Sequence, residues 1–287
     1  MMKQKFTVYD ILIYIFFIAY ALIVILPLWS VLVISLSTAE RFRHDPYHLL
    51  LIGVTFKEYA RAFSNMGGIV NSFFVSVRVT LYGTVLSLLL TSMGAYALSK
   101  RDMPGNKPLF MLVLITMFFN GGLMPFYITV RQLGMMNTIF AMFVPTAISS
   151  FYLIVMKSFF QSIPVEMEES AMIEGYNDMQ ILWKIILPLS VPSIAAIGLF
   201  YGVVYWNSYF YPTLFINSNR LFPLPVILRQ MVLQNIAIAQ VGTRVRDSNF
   251  EQFKMACVII AILPVLVVYP FIQKYFTKGI MIGALKG

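Results

Sequence analysis

Carboxylates are the side chains best suited to proton and metal chemistry, and here they avoid every long apolar stretch. Glu166, Glu168, Glu169, Glu174 and Asp178 instead gather in one polar segment. A proton relay across a membrane needs ionisable groups at depth, so proton-driven transport is disfavoured; if the protein moves something uphill, its energy is expected to come from another chain. His44 and His48 stand four apart with Pro46 between them, which argues against a helical pair of metal ligands and reads as a polar outer loop. No Gly-Lys dipeptide exists, so a phosphate-cradling G-x-x-x-x-G-K-[ST] loop is excluded. No Ser or Cys nucleophile has a histidine base in a local motif. What remains is recognition chemistry. Tyr205-Trp206-Asn207-Ser208-Tyr209-Phe210-Tyr211 is the densest run of amide beside aromatic, able to hydrogen-bond hydroxyls and stack on apolar rings. The alternative for that run is an interfacial belt anchoring a helix.

These residues need elements to hold them, and the composition says which. Of 287 residues, 59% are hydrophobic and 11% charged, with a net charge of +9 and a mean hydropathy of +0.80. Soluble domains carry about 25% charged residues, so this chain has too little charge to cover a water-facing surface. A soluble enzyme, a disordered chain and a nucleic-acid-binding domain are excluded. The single cysteine, Cys257, rules out an internal disulfide framework and a Cys-rich metal site.

Charge-free runs cover Ile11–Ala39, Val79–Ser99, Pro108–Val130, Gln132–Met156, Ile185–Asn219 and Met255–Gln273, each 19 to 35 residues long. About 20 apolar residues at 1.5 Å per residue cross a hydrocarbon core of roughly 30 Å. The runs lack the alternation of barrel strands, so six transmembrane helices are expected in an all-α integral membrane protein. The first run is too long for a cleaved signal and should stay as a helix. Gln230–Thr243 is uncharged but short and polar, and reads as an amphipathic segment at the surface or folded inward. With no repeat and no low-complexity linker, residues 1–287 are expected to form one membrane domain. An even span count puts both termini on one side. Compact basic segments beside the first, second and sixth runs favour the cytoplasm.

Between the fourth and fifth runs lies a segment of about 162–188 that breaks the apolar pattern. Ser162 can cap a helix that tolerates Pro164 in its first turn, with acidic residues at its positive end. Gly175 is the natural stop, and Asn177 with Gln180 resembles a second cap restarting a helix. A helix-turn-helix on the inner face is expected; a solvated connector is the alternative. Pro188 and Pro192 should kink or loosen the inner end of the fifth run.

The spacing in this segment resembles the cytoplasmic EAA loop of ABC importer permeases. Glu169-Ser170-Ala171 is followed by three residues, Gly175, nine residues, and Ile185-Ile186-Leu187-Pro188. Ser170 stands where that pattern has Ala, and Glu174 where Asp is usual. Gly94-Ala-Tyr-Ala-Leu-Ser-Lys100, Trp206-Asn207 and the tail Lys278–Gly287 are similar to maltose-type carbohydrate permeases. Phe119-Asn-Gly-Gly-Leu-Met-Pro125 and Leu133-Gly134 look like a branch importing oligosaccharides, including acidic ones such as aldouronates.

The resemblance implies a non-catalytic permease in a bacterial plasma membrane. It would work with a second, different permease, two ATP-binding subunits and an extracellular or periplasmic sugar-binding protein. ATP and Mg would sit on the partner ATPases, with no cofactor on this chain. Glu169, Ser170, Ala171, Gly175, Ile185, Leu187 and Pro188 would couple to the ATPase. Trp206, Asn207, Tyr209, Tyr211, Asn120 and Arg78 are candidates for the substrate path. Arg78, at the outer end of the second run, would grip a carboxylate bidentately or else snorkel to the interface. An amino-acid or phosphate importer and an intramembrane lipid enzyme are the competing readings. The maltose-type motifs oppose the first, and the missing nucleophile or metal constellation opposes the second.

Overall fold

Long apolar runs have no water to satisfy their backbone groups inside a bilayer, and the helix is the local solution. The computed structural model describes residues 8–38, 40, 49–51, 53–64, 68–240 and 248–284, and its regular elements there are all helical. His44 and His48 lie outside the described residues. Two structural units are distinguished, residues 1–70 with 228–263 and residues 71–227 with 264–287.

In the first unit, α1 (Val8–Leu36) is an apolar helix with Pro27 inside it. Its first five turns are exposed, and only the far end is packed: Val33, Ser35 and Ser37 are buried. The contacts there are polar. Ser35 shares a 2.8 Å hydrogen bond with Tyr59 of α2 (Lys57–Phe63), and Gln252 Nε2 donates to the Ser37 carbonyl at 2.6 Å. Arg61 lies over the Phe253 ring at 5.0 Å.

The second unit begins along α3 (Ile69–Ser99), which starts well before the charge-free run at Val79. Counting to the first charge stops at Arg78. The helix does not stop there, because Arg78 lies on an exposed face while Ser72, Val75, Ser76 and Val79 are buried. The third run is not one helix. It divides into α4 (Asn106–Phe118) and α5 (Leu123–Gln132), bent by 115°. The break falls on Phe119-Asn120-Gly121-Gly122, where Gly122 takes φ +84° and its N–H donates to Asn120 Oδ1 at 3.0 Å. That positive φ admits glycine far more readily than any other residue.

The fourth run is likewise bent, by 55°, between the 3₁₀ turns of Ile139–Thr146 and α6 (Ser150–Phe160). The polar segment then forms α7 (Val165–Ile173) and α8 (Asp178–Ile181), followed by a π-helical turn over Leu182–Ile186 and a last turn at Leu187–Leu189. The axis swings 85° at Ser190 into α9 (Val191–Trp206). Pro188 and Pro192 each remove a backbone donor at this junction, and the bend falls between them, where a kink is expected. After α10 (Phe210–Phe215), α11 (Leu224–Gln240) takes in the described part of the polar run expected to be amphipathic, up to Gln240, and α12 (Ser248–Ala284) contains Pro264 and Pro270. Among the described residues, three helices are long and apolar enough to cross a membrane, and up to six spans result if each bent pair is one.

The core of the second unit is an antiparallel seam between α3 and α9. Tyr205 shares a 2.8 Å hydrogen bond with Ser87, and Tyr201 another of 2.8 Å with Thr91. Glycines let the helices close in: a Cβ on Gly83 would meet the Tyr205 ring at 2.9 Å, and one on Gly198 would meet Leu88 at 3.1 Å. Small residues and side-chain hydroxyls are what join helices where lipid removes the hydrophobic drive.

Candidate functional site: a stapled helix-turn-helix and the helix breaks

The stop at Gly175 is built from backbone hydrogen bonds. Gly175 takes φ +86°. Its N–H donates to Met172 and that of Tyr176 to Ala171, both at 3.0 Å, which closes a Schellman motif. The restart two residues on is a full capping box: Asn177 Oδ1 accepts from the Gln180 N–H at 2.9 Å, and Gln180 Oε1 accepts from the Asn177 N–H at 3.0 Å. Ser162 does not cap α7. Its hydroxyl donates to the Phe159 carbonyl at 2.7 Å, finishing the preceding helix, and Pro164 occupies the cap position without a side-chain bond.

This hairpin has one face inside and one outside. Ala171, Ile181, Leu182 and Ile186 are buried in the core, with Ile185 and Leu187 packed partly against it. Glu169, Ser170, Gly175 and Pro188 are exposed. So are the apolar Met172, Met179 and Ile173, the last 88% exposed. The hairpin thus buries one side and leaves apolar tips on the other.

Lys100, just past the end of α3, forms an ion pair with Glu168 and sits 4.7 Å above the Tyr96 ring. Burial lowers its pKa, and the nearby Asp178 pulls in the opposite direction. Lys100, Arg101, Asp102, Glu168, Glu169 and Asp178 are among the residues lining an open cavity of about 890 Å³. Nothing local in the sequence announces the Lys100–Glu168 pair, since the two residues belong to elements far apart in the chain.

The aromatic run after α9 does not act as one cluster. Tyr205 and Trp206 turn inward: Trp206 is 8% exposed and meets Phe73 edge-on at 5.9 Å. Asn207 ends the helix, exposed, with Nδ2 donating to the Val203 carbonyl at 2.9 Å. Tyr209 is exposed. Tyr211 stacks on Phe215 and tilts against Phe126 of α5. The contribution of Phe126 and Tyr127 to this aromatic layer was not visible in the sequence, although two adjacent aromatics just beyond a Gly-Gly break are a usable signal. Asn120 and Asn207 each lie at a helix break, and each side chain bonds a nearby backbone group. Arg78 stands on the exposed face of α3, with Nε donating to the Phe74 carbonyl at 3.3 Å.

Comparison with known proteins gives the family of the chain. Residues 65–282 match the family described as "Binding-protein-dependent transport system inner membrane component". The chain is 42% identical to the polygalacturonan/rhamnogalacturonan transport system permease protein YtcP of Bacillus subtilis (strain 168), over 99% of this chain and 100% of that one. It is 38% identical to the protein LplC of the same organism, over 92% and 90% of the two chains. Among solved structures, a bacterial ABC transporter involved in the import of the acidic polysaccharide alginate matches with a TM-score of 0.86 at 29% identity. That alignment covers 96% of this chain and 100% of the other. The chain therefore belongs to the binding-protein-dependent transport system inner membrane components, as a permease subunit that leaves catalysis to separate ATPase subunits.

Proposed function

We propose that this chain is one of two different permeases in an ATP-driven oligosaccharide importer of a bacterial plasma membrane, and that its cargo is acidic. The observation that carries the reading is the stapled hairpin around Gly175, whose exposed Met172, Ile173 and Met179 offer an apolar ridge to an ATP-binding subunit. Relatives named for polygalacturonan/rhamnogalacturonan transport and for alginate import support a uronate-containing substrate. The chain is one membrane domain of six spans, three of them bent, with both termini and the 162–188 loop in the cytoplasm. Two ATP-binding subunits carry ATP and Mg, and an extracellular sugar-binding protein delivers the cargo.

Within that assembly, Glu169, Ser170 and Gly175 form the contact with the ATPase, the buried Ala171 couples from beneath by seating the hairpin in the core, and Ile185, Leu187 and Pro188 fix it to α9. Closure of the ATPases moves the hairpin and, through the junction at Ser190, the substrate path. Asn120 and Asn207 lie at breaks, where lipid-exposed irregular backbone is not tolerated and a water-lined cavity is the natural surrounding. Tyr209 and Tyr211 supply ring faces beside them, and Trp206 supports the wall from behind through Phe73. Arg78 is costly facing lipid and suits a wet path carrying carboxylates.

Uptake by the complete importer in vesicles tests the assignment of the path. Asn207→Ala should cut uptake of any accepted oligosaccharide by about tenfold while leaving the fold intact, since its side chain bonds only back onto the Val203 carbonyl of its own helix, which the Asn207 N–H also reaches. Arg78→Gln should cut uptake of an acidic trisaccharide by about tenfold or more and leave its reduced, neutral analogue within about twofold. Equal losses for both sugars would remove the charge argument, and normal uptake by Asn207→Ala would move the path elsewhere. Orientation has its own check. With Cys257 replaced, a cysteine at Asp102 should be reached by an impermeant thiol reagent only after the cells are opened, and one at Asn217 in intact cells. The reverse pattern inverts the proposed topology.

A further inference from the structure

The proposed coupling loop must pull on the spans without flexing at its own turn, and the contacts around Lys100 answer that need. Lys100 stands where α3 ends. Its backbone is held there because Asn106 Nδ2 donates to the carbonyls of Leu98 at 3.0 Å and Lys100 at 2.6 Å. From that fixed base its ammonium pairs with Glu168 in the middle of α7, and the pair is mostly shielded, with side-chain exposures of 26% and 13%. Gln161 Nε2 adds a second strap to the Ser99 carbonyl at 3.3 Å. Ala171 packs into the core one turn further along α7, but apolar contact has no direction and permits sliding. The ion pair is directional.

We infer that Lys100 is a positioning residue for transport, tying the hairpin to the inner end of α3 through Glu168 so that displacement of the loop is delivered to the α3–α9 seam as a rigid pull. Glu169, next in sequence, is exposed at the open cavity that Lys100 also lines, so adjacent carboxylates divide the work: Glu168 is committed to Lys100 and Glu169 stays accessible to the partner subunit. The inference rests on the reading of residues 162–188 as the coupling loop.

The test uses the complete importer in vesicles and reads two quantities, uptake and ATP hydrolysis, with subunit co-purification as the assembly check. Lys100→Met and Glu168→Gln should each lower the uptake per ATP hydrolysed by about tenfold with the ATPases still bound, because removing one partner strands a shielded charge or dipole. The double variant Lys100→Met/Glu168→Gln should be no worse than either single, the mark of residues acting as one pair. The exchange Lys100→Glu/Glu168→Lys should recover to within about threefold of the starting protein. Additive losses in the double variant, or unchanged uptake per ATP in Lys100→Met, overturn the inference. Gly175→Trp separates this from the reading beneath it. If that variant transports normally, the loop assignment fails and the tether with it; if it fails while the Lys100 variants transport normally, only the tether is lost.

Discussion

Gly175→Trp is expected to insert into the membrane normally and to reduce substrate uptake by the assembled importer at least about a hundredfold. The effect starts at the backbone. A non-glycine residue at φ +86° costs on the order of 1–2 kcal/mol, so the Schellman stop would relax and release the Gly175 and Tyr176 N–H bonds. A Cβ at this position meets nothing in the chain within 4 Å, so the fold itself has room for it. The bulk is therefore presented outward, on the surface proposed to meet the ATPase, where an indole prevents close approach. Gly175→Asn, which tolerates the left-handed region, should keep uptake within about threefold. Uptake assays paired with co-purification of the ATPase chains check both variants. Full uptake with tryptophan in place would end the assignment of this loop.

Gly83→Leu is expected to fail earlier, at the level of the folded chain. Its Cβ alone would lie 2.9 Å from the Tyr205 ring and 3.0 Å from the Phe143 Cβ, and neither neighbour is the free end of a flexible side chain. The α3–α9 seam must open, and the Tyr205–Ser87 bond opens with it. Overpacking costs about 1–3 kcal/mol, and each interhelical hydrogen bond in a membrane adds about 0.6 kcal/mol. Detergent-solubilised protein should accordingly melt several degrees lower, or be recovered in less than about a tenth of the usual yield. Gly202→Ala is the control on the same seam, because its Cβ would meet Thr84 Oγ1 at an ordinary 3.6 Å. A Gly83→Leu variant as stable as that control would show that the helices are not held at this spacing.

The local chemistry of the hairpin is legible in the sequence, because stops and caps are short-range devices. Gly175 and the Asn177–Gln180 pair act over three or four residues, and both took the forms their types imply. Ser162 differs from its expected cap for the same reason in reverse: its hydroxyl has an equally local acceptor in the Phe159 carbonyl, so one residue type serves either helix end. Charge-free length identified apolar runs but not their continuity. A break such as Phe119–Gly122 leaves composition unchanged while turning the chain by 115°. It also stopped short at Arg78, where one exposed charge ended the count and not the helix. Burial inside the Tyr205–Tyr211 run was hidden too, since Trp206 and Asn207 are neighbours in sequence and end on opposite sides of the core boundary. The Lys100–Glu168 pair depends on which elements meet, and local spacing carries no record of that.

The rungs of the α3–α9 seam have a consequence for how such a protein can move. Tyr205 with Ser87 and Tyr201 with Thr91 repeat at the same four-residue interval on both helices, so the two bonds are in register only together. Sliding one helix by part of a turn would break both at once, and the next position where even one tyrosine meets a hydroxyl again lies four residues away, about 6 Å along the axis. Motion along this contact is therefore stepped, not continuous. Small strokes must be carried by α3 and α9 as a single beam, with the give taken up at the Ser190 bend and at the Asn207 break on either end of α9.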